Sequence, residues 1–492
     1  MLLVTGLAFL LRVQGLAYQS LWRDEVDSLR FAAQPLSELL RGFTAPGHNG
    51  PLYYLLLRPW LAAAGDSEFS LRFISLLAGV VAVPMVYRLG QGLVRGSGSA
   101  PAVASLLVAV SPYLVWYSQE GRMYAAAVVL VLGSLACLFS AAQSGGWRPW
   151  FGYVALTAAA FYTHILTALM IPVHLTVIAL LPWPRAPKTA VRHAAALVAL
   201  AILYIPLAMW QLPRLLDPGA TGFAFVPLPQ MLASMASTYV GGVAPSGVLL
   251  SELGLLALIG AALVFPRRDR LRVSFALAAW VSLPVVGLFL LTLRQPMYAA
   301  RYLVFVLPGL LLLAGSGWRA LALRLPTLSI VLVVLLAVSG LVGVGRQAAI
   351  PVKADLRSAS RYVSSNMEGG DRVLFQIPYT SHGFEYYLRR AEAAEPNLPS
   401  RGAAMLYFPL AHGGVEPSWR IDGPFTNQGV SESEVDSLMV QRLGDARVVW
   451  FVASEVELWD ERLLVQGWLF RHARITVRAE FAGVSVYRCE LP

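Results

Sequence analysis

Apolar runs of membrane-spanning length follow one another through the first two-thirds of the chain, separated by short polar intervals. They lie at residues 2–16, 69–93, 100–117, 123–142, 147–162, 165–181, 191–212, 248–265, 271–293, 302–318 and 328–345, and they predict eleven crossings, the first of them short. The run 51–64 differs. Its roughly 14 residues reach only about 21 Å as a helix against a hydrocarbon core of about 30 Å, which predicts a juxtamembrane or re-entrant helix. If that run does not cross, Arg88, Arg95, Arg148, Arg185, Lys188, Arg192, Arg267, Arg268, Arg270, Arg272, Arg319 and Arg324 fall on one side, which the positive-inside rule makes the cytoplasm. The outward side then receives the first polar interval, the SQEGRMY turn at Glu120, the turn at His164, the long loop 213–247 and the turn RQPMYAAR at 294–301.

Beyond Gly345 the pattern changes to mixed charge. DLRSASRYVSSNM reads as helix, RVLFQI as strand, FEYYLRR as helix, and 395–429 as a Gly/Pro-rich stretch. SESEVDSLMVQRL then reads as helix, ARVVWFVAS as strand, the region 459–470 as helix, and the end as strands. The prediction is a mostly α, polytopic membrane part over 1–346, its first outer loop at 19–50, and a small α/β domain over 347–492, placed outside by the odd number of crossings.

Composition agrees with this picture: 57% of residues are hydrophobic and 13% charged, the balance of a multi-pass membrane protein. The net charge of +10 comes from basic residues scattered singly between apolar runs, which orients a chain in a bilayer and argues against a nucleic-acid partner. The two cysteines, Cys137 and Cys489, are too few for a disulfide framework or a zinc ribbon. The N-terminal run has no basic flank and is interrupted by Arg12 and Gln14, so a retained span is expected rather than a cleaved signal peptide. The glycines of GLVGVG, 340–345, sit inside an apolar run and read as packing residues; with no P-loop present, an ATP-driven mechanism has no support.

Candidate chemistry concentrates in the first polar interval, 20–54, which carries Asp24, Glu25 and Asp27 and then His48 ahead of Tyr53 and Tyr54. Asp24 and Glu25 are adjacent and point in different directions on a helix or a strand, so one would act as base and the other support it. A carboxylate at the membrane rim, partly shielded from water, is a better proton acceptor for a hydroxyl; the alternative is an acid at a helix start. His48 is open to three readings: metal ligand, acid–base group or hydrogen-bonding loop histidine. With Glu120 it could form a divalent-metal site. Arg301, at the mouth of a late span, and Arg122 are placed either to grip a phosphate at headgroup depth or to anchor helices at the interface. Tyr53, Tyr54, Trp116, Tyr117 and Tyr124 read as an interfacial aromatic belt or as a platform for a sugar ring, and His164 as a turn histidine or a substrate contact.

SLWRDEVDSL, then GHNGPLYYLLLRPWLAAAGDSEFSLR and SPYLVWYSQEGRMYAAA, resemble the membrane glycosyltransferases of the protein O-mannosyltransferase type, the family-39-like branch of the GT-C architecture that includes the lipid A aminoarabinose transferases. DLRSASRYVSSN with GDRVLFQIPY resembles the extracytoplasmic domain of bacterial members. The resemblance implies transfer of a sugar from a polyprenyl-phosphate donor to an acceptor hydroxyl on the outer face of the cell membrane, with inversion. The acceptor could be a protein, a lipid-linked glycan or a cell-wall polymer. It places the family's acidic pair on Asp24 and Glu25, with the aspartate as base, and the donor-phosphate contact on Arg301. Where some relatives carry a polar or metal-binding residue this chain reads His48-Asn-Gly-Pro, a departure from the Pro-Pro-Leu-Tyr pattern. A lipid or glycan transporter would share the many spans, but it predicts charges at mid-membrane, broken helices and repeat symmetry. A scaffold working through its outer domain is the third reading.

Overall fold

The computed structural model describes residues 1–44, 50–93, 98–144, 146–180, 188–216, 223–266, 271–376, 378–395, 404–407, 431–456, 460 and 462–492. His48 lies outside the described residues, as do Arg95, Arg185, Arg267, Arg268 and Arg270. The chain divides into two units, Met1–Leu16 with Phe31–Ile350, and Ala17–Arg30 with Pro351–Pro492. The partition is therefore not linear in sequence.

In the first unit every expected apolar run is helical over most of its described length. Among the described residues six helices are long and apolar enough to cross a bilayer: Glu68–Leu93, Tyr124–Ser144, Thr189–Leu216, Leu271–Arg294, Ala300–Ala322 and Pro326–Ala349. Ser99–Val110 and Pro112–Ser118 make a seventh span if the pair, bent by 58°, counts as one. The other four expected crossings are shorter helices, Leu2–Val13, Trp147–Thr163, Ile165–Leu180 and Leu249–Val264. The chain is a multi-pass membrane protein. Thr189–Leu216 leaves Val198, Ile202, Met209 and Leu212 exposed, the pattern of a helix solvated by lipid. Pro51–Ala64 is a helix of 14 residues, as its length predicts. The loop expected at 213–247 contains a helix, Leu228–Gly241, and the first polar interval, expected as a loop, contains two, Arg23–Ala33 and Leu36–Arg41. Both intervals are too polar or too short to register as spans, yet each forms helix, and Arg23–Ala33 buries Asp24, Glu25, Asp27 and Ser28 together with Val26 and Ala32.

Small residues let these helices approach closely. A side chain at Gly317 would collide with the carbonyl of Leu258, and one at Gly315 would come within 2.6 Å of the carbonyl of Ala100. Gly340 sits the same way against the carbonyl of Val110 and Gly343 against Pro112, which is the packing role read from GLVGVG. The bend after Val110 follows from Pro112, which has no N–H to continue the ladder. Ser111 caps the new helix by accepting from the Leu114 amide. Arg12 is fully buried; its guanidinium donates to the carbonyls of Val108 and Ala109 at 3.2 and 2.9 Å and to the Ser118 hydroxyl at 3.1 Å. The basic residue that interrupts the first apolar run thus satisfies acceptors that the break exposes.

The second unit is built on a mixed sheet of order β2-β1-β3-β5-β4, with β1 Arg372–Phe375, β2 Ala404–Tyr407, β3 Val448–Ser454, β4 Arg474–Phe481 and β5 Val484–Glu490. β1 runs parallel to β2 and β3; β5 runs antiparallel to β3 and β4. β3 is buried on both faces and reads as an unbroken apolar run, as a central strand covered by helices must. On one face Leu374, Val449 and Phe451 pack with Val435, Met439 and Leu443 of Glu432–Leu443 and with Val465, Trp468 and Leu469 of Leu464–His472. On the other, Phe375 meets Phe384 of Pro378–Ala394 at 5.3 Å, and Trp450 meets Tyr362 of Leu356–Asn366 at 6.2 Å. The helices and strands read from the C-terminal sequence are present, and the structure adds β2, a four-residue edge strand inside the Gly/Pro-rich stretch.

Candidate functional site

The acid-bearing segment begins as an extended stretch and enters the helix Arg23–Ala33, whose first turn holds Asp24 and Glu25. Acids are favoured there because unsatisfied amides make a helix start electropositive. Successive helical residues point about 100° apart, and the two carboxylates separate accordingly. Glu25 is fully buried and its Oε2 accepts from the Lys353 ammonium at 2.8 Å. Asp24 retains slight exposure of its side chain, 11%, with its Oδ1 3.7 Å from Nε of Arg23, and Ser28 donates its hydroxyl to the Asp24 carbonyl. Asp27 lies 3.6 Å from Arg30, one turn on. The two neighbours thus differ in setting: Glu25 makes a buried ion pair with Lys353, and Asp24 lies beside Arg23 with slight exposure.

A second group assembles within the membrane unit. The turn after Ser118 is tight: the Arg122 amide donates to the Glu120 carbonyl at 2.7 Å, and any side chain at Gly121 would strike Leu71. Arg122 donates from Nη1 to the Tyr54 hydroxyl at 2.9 Å, and Tyr53 shares a hydrogen bond with Ser75, which in turn donates to the Arg122 carbonyl. Gly50, at φ 92°, lets the start of Pro51–Ala64 press against the Thr163 carbonyl, where a β-carbon would sit at 2.8 Å. Next to Thr163 stands His164, with the rings of Tyr124 at 5.7 Å and Tyr302 at 6.1 Å. Arg301 lies over the Tyr302 ring at 5.6 Å. Arg122, Arg301, Glu120 and Tyr302 all lie within electrostatic reach of Tyr124. Tyr113, Tyr117 and Tyr124 continue as a chain of edge-on rings, and Tyr113 also meets Tyr239.

Five stretches far apart in sequence, carrying Tyr54, Glu120 with Arg122, His164, Tyr239 and Arg301, therefore gather in one unit. Tyr53 and Tyr54 are 2% and 1% exposed, so they are packed residues rather than a surface belt. His164, in the turn between two apolar helices, is fully buried with neither ring nitrogen hydrogen-bonded. Desolvation drives it down to about 4, with Arg122 and Arg301 adding to the shift, so the ring is neutral at physiological pH. Among the described residues no group of three His, Cys, Asp or Glu side chains could hold a metal ion, and His48, the expected partner of Glu120, lies outside the described residues.

Sequence reading missed Lys353 and Arg357. Both follow the last apolar run in PVKADLR, and no local pattern ties them to Glu25, which precedes Lys353 by 328 residues.

A model of the dolichyl-phosphate-mannose-protein mannosyltransferase family matches residues 48–210. No curated protein matches the chain. Among solved structures, apo ArnT from Cupriavidus metallidurans is similar over 99% of this chain and 97% of its own, with TM-score 0.60 at 13% identity. The same protein bound to undecaprenyl phosphate gives 0.58 at 13% identity over the same shares. The Archaeoglobus fulgidus oligosaccharyltransferase matches over 98% of this chain and 72% of its own, TM-score 0.54 at 13% identity. Arabinofuranosyltransferase AftD from Mycobacteria matches over 100% and 40%, TM-score 0.55 at 14% identity. At such identities the likeness establishes the fold: the chain shares the architecture of these solved membrane proteins, and about a third of it matches the mannosyltransferase family model.

Proposed function

We propose that the protein transfers a sugar from a polyprenyl-phosphate donor to an acceptor hydroxyl at the extracytoplasmic face of the cell membrane. The observation that carries this reading is the gathering of two guanidinium groups, Arg122 and Arg301, around Tyr124 and His164 in a unit built mostly of apolar helices. Cations are costly among membrane helices and mark a site where an anion is handled. A lipid-linked phosphate is the anion that reaches such a place, and the similar ArnT structure was solved with undecaprenyl phosphate.

In the proposed reaction Asp24 takes the proton of the acceptor hydroxyl while that oxygen attacks the anomeric carbon. The bond from that carbon to the phosphate oxygen breaks, and the configuration inverts. Polyprenyl phosphate departs carrying the negative charge, which Arg301 and Arg122 stabilise. Neutral His164 and the tyrosines offer hydrogen bonds and ring faces for the sugar without adding charge. Glu25 supports Asp24 and does not exchange a proton with substrate.

The 58° break at Ser111 is a feature that a transporter would share. Here the break is held by Arg12 and by Gln347, which donates to the Pro112 carbonyl at 2.8 Å, a locked arrangement rather than a gate. The test is transfer by purified protein supplied with polyprenyl-phosphate sugars. Asp24→Asn should lose about 10³-fold in rate while still folding; an unchanged rate removes the base assignment. Arg301→Ala should mainly raise the donor KM, and a loss confined to acceptor use would remove the phosphate role.

A further inference from the structure

We propose that Lys353 and Arg357 are positioning residues that hold the acid-bearing segment and so set the direction of Asp24, an inference that rests on Asp24 being the base. The contacts are dense and consecutive. Arg357 donates through its guanidinium to the carbonyls of Ala17, Tyr18 and Gln19 at 3.1, 3.2 and 3.4 Å, and through its amide to the Ser20 hydroxyl at 3.3 Å. The amides of Val352 and Lys353 both donate to Oε1 of Gln19. The Leu21 amide donates to the Tyr387 hydroxyl at 2.7 Å, and Arg23 pairs with Glu455 at 3.0 Å. Lys353 closes the series on Glu25, its side chain 6% exposed and that of Glu25 fully buried.

A buried ion pair adds little net stability, because removing both charges from water offsets their attraction; its attested use is to select one geometry. Glu25 and Asp24 are neighbours on one helical turn, so fixing the direction of Glu25 fixes that of Asp24. Arg357 suits its part because a planar fork spans several carbonyls, which a lysine cannot do. The guanidinium also lies 5.5 Å from the Tyr387 ring centre, the same tyrosine that accepts from Leu21. The C-terminal unit thus provides the frame of the proposed base, in addition to any part it has in choosing an acceptor.

The test uses the full-length protein and measures kcat, donor KM, melting temperature and amide hydrogen exchange. In Lys353→Met, kcat should fall about 10- to 100-fold with donor KM within about threefold, since misplacing a reacting group by about 1 Å is enough for such a loss. Exchange of amides in 17–25 should quicken. The double variant Glu25→Gln/Lys353→Met leaves no buried charge uncompensated; it should regain the wild-type melting temperature but not the wild-type kcat. Arg357→Lys should show the same pattern more weakly. Wild-type kcat in the double variant, with Asp24→Asn inactive, overturns the positioning role and leaves the base assignment standing. Wild-type transfer by Asp24→Asn overturns both.

Discussion

Buried charge is handled differently in the two units. In the membrane unit Arg12 is held by carbonyl oxygens of Ala8, Val108 and Ala109 and by the Ser118 hydroxyl. In the C-terminal unit Glu25 is held by an ammonium from a residue far along the chain. The contrast follows from what each environment supplies. Among apolar helices the available negative ends are backbone carbonyls, and they become free only where a helix breaks, so the cation and Pro112 belong to one device. In an α/β unit rich in charged side chains, a carboxylate can recruit a partner directly, and the pair then fixes where the segment carrying it must lie.

The largest effect should separate the two neighbours in the acid segment. Asp24→Asn is expected to cost about 10³-fold in transfer, about 4 kcal/mol of barrier, whereas Glu25→Gln, which still accepts a hydrogen bond, should cost far less. Equal losses would mean that both carboxylates touch substrate. Next comes Arg12→Met, which strips donors from buried carbonyls and should destabilise the membrane unit by about 3 kcal/mol, read as a lower melting temperature in detergent. Arg12→Lys should recover part of it; a neutral outcome for Arg12→Met would show that the break holds itself.

His164 sharpens the comparison, being a buried titratable group whose ring nitrogens have no hydrogen bond in the structure. Its folded value, about 4, lies below the ordinary 6.5, so the folded state binds fewer protons than the unfolded between those limits. Stability is then full above 6.5 and declines by about 1.4 kcal/mol per pH unit on acidification through the window. Melting temperatures at pH 7 and pH 5 measure this, and His164→Gln should flatten the slope. The smallest effect lies in the C-terminal unit, where Ser431 and Glu434 form a reciprocal capping box on Glu432–Leu443. Ser431→Ala should cost about 1 kcal/mol in unfolding and leave transfer untouched.

Legibility differed between the units for physical reasons. Strands such as Val448–Ser454 and helices such as Leu356–Asn366 could be read because their periods and capping residues are local. The edge strand Ala404–Tyr407 could not, since four residues inside a Gly/Pro-rich stretch are a strand only through pairing with β1. Along the membrane unit the apolar runs announced helices, but a run that is apolar all round does not say which face meets lipid, so Tyr53 and Tyr54 read as a surface belt although they are buried. The candidates Glu120, Arg122, His164 and Arg301 were visible as polar residues at the ends of apolar runs, and the structure brings them around Tyr124.

Sequence alone determined the membrane class, the positions of the apolar helices, the α/β nature of the last third and the polar residues at the ends of the apolar runs. These follow from composition and short-range period, which are properties of neighbouring residues. Only the tertiary structure decided that residues 17–30 group with the C-terminal unit, that Glu25 pairs with Lys353, and that Arg12 belongs to a helix break about a hundred residues later. Those choices depend on contacts between segments remote in the chain, where burial leaves a charge no alternative but the partner that the fold provides.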